Sequence, residues 1–268
     1  MKLPISVIIL TYNEELNLES CLKSVVDWTD EIFIVDSYST DKTLEIAKEY
    51  GAEIFQHPFE NQAQQFNWAL DNLEIKNNWI LRLDADEYLT PELRREISET
   101  LPKTPGDING FYLRRRVYFM NRWIKHGGYY PIWLLRFFRY GKARYQEERD
   151  VDEHLTLLEG AAGKMKNDFI DDNKKDLIWW IKKHNNYALR EAGEALSGNY
   201  GRGGKKFYYK LPLFLRAFVY FIYRYFLRFG FLDGKEGLIF HFLQGFWYRF
   251  LVDSKLYELN KKSTKKNF

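Results

Sequence analysis

Residues 5–84 alternate short apolar runs with segments of helical periodicity, and this pattern restricts the chain more than any other feature. "ISVIIL", "EIFIVD", "AEIFQ" and "WILRLD" read as strands. Between them lie "EELNLESCLKSVVDW", opened by Asn13 or Glu14, then "STDKTLEIAKEYG", closed by Gly51, and "NQAQQFNWALDNL". Strand–helix alternation of this length predicts a mostly parallel α/β sheet with helices on both faces. Ligands of such sheets bind at the carboxyl ends of the strands. The polar residues that interrupt the pattern fall there: Thr11, Tyr12, Asn13 and Glu14 after the first strand, Asp36 and Ser37 after the second, Asp84 and Asp86 after the fourth.

"WILRLDADEYLTPEL" carries the sharpest local signal. Thr90-Pro91-Glu92 is a helix start with a cap and a first-turn proline. Side chains two apart on a strand point the same way, so Asp84 and Asp86 can converge at the strand's exit, with Glu87 facing elsewhere. Two carboxylates sharing a site repel unless a cation or a proton lies between them. The pair could hold Mg2+ or Mn2+, which take oxygen ligands and phosphate co-ligands; an acidic turn kept for solubility and capping is the alternative. Asp36 could accept from a base N–H or belong to a cap network with Ser39 and Thr40. No Walker loop and no GxGxxG motif is present, so the charge of a bound phosphate has to be met by a metal and not by a glycine cradle. In "EERDVDEHLTL", Asp150, Asp152 and Glu153 are candidate general bases, against the reading of a solvated acidic loop; His154 has the weight of a lone histidine.

Beyond residue 105 the pattern changes. "GFYLRRRVYF" and "IWLLRFFRYGKARY" read as antiparallel strands around the loop "MNRWIKHGGYYP", and helices are expected from about residue 166. The predicted division is a catalytic domain over 1–165 and a helical, basic-aromatic region over 166–268. Cys21, the sole cysteine, sits at helical spacing with Leu18, Leu22 and Val25 and reads as a core thiol in a reducing compartment. Residues 201–268 hold 14 Lys and Arg against 4 Asp and Glu, so the remainder holds 26 against 33. On a helical wheel of about 100° per residue, Arg216, Arg224 and Arg228 form one basic face opposite a Phe/Tyr/Leu face. That pattern predicts attachment to an anionic membrane surface. Massing of the aromatics on the apolar face argues against nucleic acid. No apolar run is long enough to span a bilayer and no leader is recognised, so the expected location is cytoplasmic, peripheral on the inner face of the cytoplasmic membrane.

Together "SVIILTYNEELNLESCLKSV", "IVDSYSTDKT" and "LRLDADEYLTPEL" resemble family 2 glycosyltransferases, inverting enzymes of the GT-A fold. Within that family "FMNRWIKHGGYYP", "LLRFFRYGKARY" and "VDEH" are similar to the lipopolysaccharide-core and exopolysaccharide β-glucosyltransferase group. The resemblance implies a UDP-sugar donor, a lipid-linked or lipopolysaccharide-core glycan acceptor and a divalent metal. It implies a nucleotide pocket lined by Thr11, Asn13 and Glu14, with Asp36 on the uracil. Asp84 and Asp86 become the DxD pair, Asp86 the direct metal ligand, and Glu153 the catalytic base. Relatives often carry His-Glu where this chain has Asp152-Glu153, which leaves Asp152 as a second candidate. A sugar nucleotidyltransferase would show a glycine-rich, arginine-containing loop in place of "TYNEELN". A non-catalytic sugar-nucleotide or membrane-surface binding protein has no need to keep Asp84, Asp86 and Glu153 together.

Overall fold

The structure is a computed structural model that describes residues 2–146, 155–196 and 208–266, with side chains described to 262. The chain divides into two compact units, residues 1–118 with 131–174, and residues 119–130 with 175–268.

In the first unit β1 (Leu3–Thr11), β2 (Thr29–Asp36), β3 (Glu53–Gln56) and β4 (Trp79–Asp84) are all parallel. The sheet order is β3-β2-β1-β4-β8-β6-β11-β5, completed by β5 (Glu87–Leu89), β6 (Ile108–Phe119), β8 (Ile132–Arg139) and β11 (Ala161–Asp171). β8 runs antiparallel to β6, as the sequence pattern predicts, and it runs antiparallel to β4 as well. A separate pair joins β9 (Ala143–Tyr145) to β10 (Leu155–Leu157). Side chains alternate across the sheet with period two. Ile5, Val7 and Ile9 of β1 pack with Leu18 and Leu22 of α1 (Leu18–Lys23), Ala47 of α2 (Thr43–Glu49), and Leu93 and Ile97 of α4 (Pro91–Thr100). Ile8 and Ile80 face the other way, onto Ala63, Phe66 and Leu70 of α3 (Gln62–Asn72). Helices cover both faces for that reason. Asn61 caps α3 through Gln64 N, and Thr90 caps α4 through Leu93 N.

Three expectations need correction. The first helix is short, because Glu14–Asn17 form turns tied to the next loop and do not begin the helix. Residues 166–171 are strand, not helix: β11 continues to Asp171 because its far end pairs with both β6 and β5. The first unit therefore runs past residue 165 to 174, while the loop 119–130, containing β7 (Arg122–Trp123), belongs to the second unit.

In the second unit α5 (Leu177–Leu196) packs Ala188, Ala192 and Ala195 against Tyr248, Val252 and Leu256 of α8 (Tyr248–Lys266). Between them run α6 (Leu215–Ile222), α7 (Gly234–His241) and two widened π-type stretches, Tyr223–Leu227 and Phe242–Trp247. Asp233 anchors the loop: it accepts from the amides of Lys125 and His126 and from His126 Nδ1 at 2.6 Å. Gly127, at φ +66°, lies where a Cβ would fall 2.1 Å from the His241 ring, so no other residue fits there.

The expected basic face is also overturned. Arg216 is 2% exposed, and its Nε donates to Asp253 at 2.7 Å while its guanidinium covers the Tyr209 ring. Arg224 is buried too; it donates to the Gly127 carbonyl at 2.7 Å and lies 3.8 Å from the Tyr129 ring centroid. Only Arg228 of the three is exposed. Arg216 and Arg224 point inward because Asp253, Gly127 and the tyrosines supply partners that water would otherwise provide, whereas Arg228 lies on the exposed side.

Asp253→Ala strands Arg216 as a buried, uncompensated charge and is expected to cost about 3–5 kcal/mol. Arg228→Gln, at an exposed position, is expected to change stability by no more than about 0.5 kcal/mol. Urea unfolding of both variants checks the contrast, and equal midpoints would show that Arg216 is solvated.

Candidate active site

The chain reverses its direction of winding between β1 and β4, with β2 and β3 to one side, and the ends of these strands lie in register. Thr11 pairs with Asp36, Asp36 with Gln56, and Leu10 with Asp84. Such a switch point opens a crevice at the carboxyl edge of the sheet. Four of the predicted residues meet there in the loops after β1 and β2. Asp36 is fully buried; Oδ1 accepts from Thr11 Oγ1 at 2.9 Å and Ser39 Oγ at 2.5 Å, and Oδ2 accepts from Ser39 N at 2.8 Å and Gln56 Nε2 at 3.3 Å. Asn13, in the left-handed region at φ 53°, donates its amide to Ser39 Oγ and accepts from Thr40 N, both at 2.8 Å. Glu14 N donates to Thr43 Oγ1, and the Glu14 carboxylate receives Asn17 Nδ2. The two loops are thus tied to each other reciprocally; of the cap partners expected for Asp36, Ser39 is present, while Thr40 bonds Asn13 instead. Tyr12 and Tyr38 stand exposed on these loops.

At the end of β4 the structure departs from simple alternation. Ala85 and Asp86 form a turn, and the chain returns as β5, which pairs with β11. Glu87 therefore faces inward, not away. Its carboxylate accepts from Asp84 N at 3.0 Å and from Arg136 Nη2 at 2.5 Å. Asp84 accepts from Arg82 Nη2 at 2.6 Å, Gln62 Nε2 at 3.1 Å and Arg136 Nη2 at 3.2 Å. Arg82 lies against the Phe66 and Tyr145 rings, and Arg136 over Phe169. Burial, then the Asp84 carboxylate, pushes the Glu87 carboxyl above its ordinary range, while Arg82 draws it back. Arg82, Arg136, Gln62 and Glu87 are site residues that the motif reading passes over. Their signal in the sequence is an arginine set inside an apolar strand, in "WILRLD" and again in "LLRFFR".

Asp86 has a different environment. It is half-buried, its Oδ2 accepts from Asn173 Nδ2 at 2.8 Å, and its carbonyl accepts from Asp172 N. Among the described residues no group of three or more His, Cys, Asp or Glu side chains is gathered to hold a metal. A hard cation that keeps waters and phosphate oxygens needs only one or two protein carboxylates. Asp86 fits that demand, whereas Asp84 has its oxygens committed to arginine and glutamine. Cys21 is buried and burial pushes its thiol up, so it is a core residue and no nucleophile. Asp150, Asp152, Glu153 and His154 lie outside the described residues.

The family model "Glycosyl transferase family 2" matches residues 6–160. The chain belongs to that family. Its α/β architecture is the GT-A fold, and the protein is a glycosyltransferase. A lipopolysaccharide core biosynthesis glycosyltransferase, LpsC of Rhizobium meliloti, is 29% identical over 99% of this chain and 96% of its own length. An uncharacterized glycosyltransferase of Rickettsia typhi is 30% identical over 97% of this chain and 88% of its own length. The crystal structure of S. aureus TarS aligns with a TM-score of 0.47 at 16% identity, covering 71% of this chain and 40% of that one.

Arg136→Leu leaves Glu87 buried without its cation and is expected to lower the stability of the glycosyltransferase by about 3–5 kcal/mol. Arg136→Lys keeps the charge without the planar fork and should fall between the two. Thermal unfolding of the three proteins tests the order; an Arg136→Leu transition at the wild-type temperature would remove the cluster from any structural role.

Proposed function

We propose that this glycosyltransferase moves a sugar, glucose in our reading, from a UDP-sugar to a lipid-linked or lipopolysaccharide-core glycan at the inner face of the cytoplasmic membrane. The observation that carries the acceptor class is the end-to-end likeness to LpsC. Thr11, Asn13 and Glu14 line the nucleotide pocket and Asp36 receives the uracil N–H. The four donors already around Asp36 match the capacity of a carboxylate, so the base replaces the longest of them, Gln56, at 3.3 Å. Asp84, held by Arg82 and Arg136, positions the donor. Asp86 holds Mg2+ or Mn2+, and such a cation supplies Lewis-acid charge toward the leaving diphosphate.

A sugar hydroxyl is a weak nucleophile at neutral pH, so a carboxylate must take its proton as it attacks. Glu153 takes that role, with Asp152 as the alternative within the pair. The acceptor oxygen bonds to the anomeric carbon as the bond to the diphosphate oxygen breaks; the proton passes to Glu153 and UDP departs. Attack opposite the leaving group converts an α-linked donor into a β-linked product with no covalent enzyme intermediate.

Asp86→Ala is expected to abolish transfer and the metal-dependent part of UDP binding while the fold persists. Normal turnover of this variant in EDTA would reduce Asp84 and Asp86 to a polar turn. Glu153→Gln should bind donor normally and lose a factor of roughly 10² or more in turnover, read as acceptor-dependent UDP release. If Asp152→Asn is the crippled variant, the base is Asp152.

A further inference from the structure

No helix among the described residues is long and apolar enough to cross a membrane, yet the second unit turns large apolar side chains outward. Leu215, Phe218, Val219, Ile222, Phe226 and Phe229 are each between 44% and 57% exposed. Their spacing places them along one side of α6 and the π-type stretch after it. Contiguous exposed apolar surface of this kind marks an interaction site on an otherwise polar molecule. Phe231 and Leu232 extend it into the following turn.

The charges around this face select its occupant. Between residues 208 and 235 the only acidic side chain is Asp233, which is buried in its contacts with Lys125, His126 and His241. Arg216 and Arg224 are buried as well, while Lys210, Arg228 and Lys235 are exposed. Along this segment the exposed charges are therefore all cationic, and Glu236, the next acidic residue, is half-buried. A second copy of the chain meeting it about a two-fold axis would set these cations against their own equivalents. An anionic lipid surface would pair with them and accept the rings and aliphatic chains below its headgroups.

We propose that α6 and the adjoining segment to Leu232 form a lipid-insertion face, on which burial of Phe, Leu and Ile side chains supplies most of the attachment and the exposed lysines and arginine orient it. This inference rests on the membrane location proposed above and changes its physical basis: apolar burial is not screened by salt, whereas attraction of exposed cations is. Two of the three arginines expected to make the contact are structural.

The test is flotation of the full chain with phosphatidylglycerol-containing vesicles, and with phosphatidylcholine vesicles, in low and high salt without donor or acceptor. Wild type should float with the anionic vesicles at low salt and keep at least half of its bound fraction in high salt. Phe218→Ser with Phe226→Ser should lower the bound fraction roughly tenfold in both conditions, with an unchanged circular dichroism spectrum. Arg228→Gln with Lys235→Gln should weaken binding at low salt only. Wild type that stays with the soluble fraction, or a serine double variant that floats like wild type, would overturn the proposal. So would a dimer in light scattering that the serine substitutions dissolve with no change in vesicle binding. Protein that floats yet releases no UDP counts against the transferase reading alone, and active protein that never floats counts against the insertion face alone.

Discussion

Two guanidinium groups decide what the end of β4 can present. Arg82 and Arg136 are buried among aromatic rings and hold Asp84 and Glu87 at hydrogen-bonding distance. Each carboxyl group lies against a guanidinium in a place where an unpaired charge would be expelled or neutralised. Because Asp84 is fixed on both oxygens, the turn that follows it starts from a set position and Asp86 is delivered to the crevice edge. The β5–β11 pairing and the hydrogen bond from Asn173 then hold that turn from the far side. Asp86, on so short a turn, depends for its position on the rigidity of what surrounds it.

Much of this was legible in the sequence because it is local. The short apolar runs marked the parallel strands, their alternation with helical segments implied helices on both faces, and Asn61 and Thr90 announce their helices through hydrogen bonds to amides three residues on. The convergence of Thr11 and Asp36 follows from strand register alone. The partners of Asp84 were not legible, since Gln62 and Arg136 lie 22 and 52 residues away and meet it only through the tertiary fold. The inward turn of Glu87 escaped notice because three residues of strand after a tight turn carry no periodicity of their own. An arginine within an apolar strand was the available clue, as a buried guanidinium needs a carboxylate or another acceptor to pair with.

The C-terminal region shows a different limit. A helical wheel sorts side chains into two faces but does not say which faces inward. The usual assumption puts charge outside because burying a guanidinium without partners is costly. Here Asp253 takes Arg216 at Nε, and the Gly127 carbonyl takes Arg224. Asp253 is 37 residues from its arginine and Gly127 is 97 residues away. Nothing within the helix itself reveals either partner.

Once those arginines are satisfied internally, the remaining sides of the same segment are freed from the need to form a core, and their phenylalanines and leucines can face outward. The two units thus use one device to different ends. In the first, buried arginines fix an acidic residue at the carboxyl edge of the sheet. In the second, they hold a loop and a helix together from within and leave the apolar side chains free. Arginine suits both tasks because its planar fork bonds carboxylates and carbonyls while its face lies flat on aromatic rings. A lysine in either place would bring the charge without the stacking plane, and the aromatic content of this chain, 18% of its residues, supplies the rings against which that plane rests.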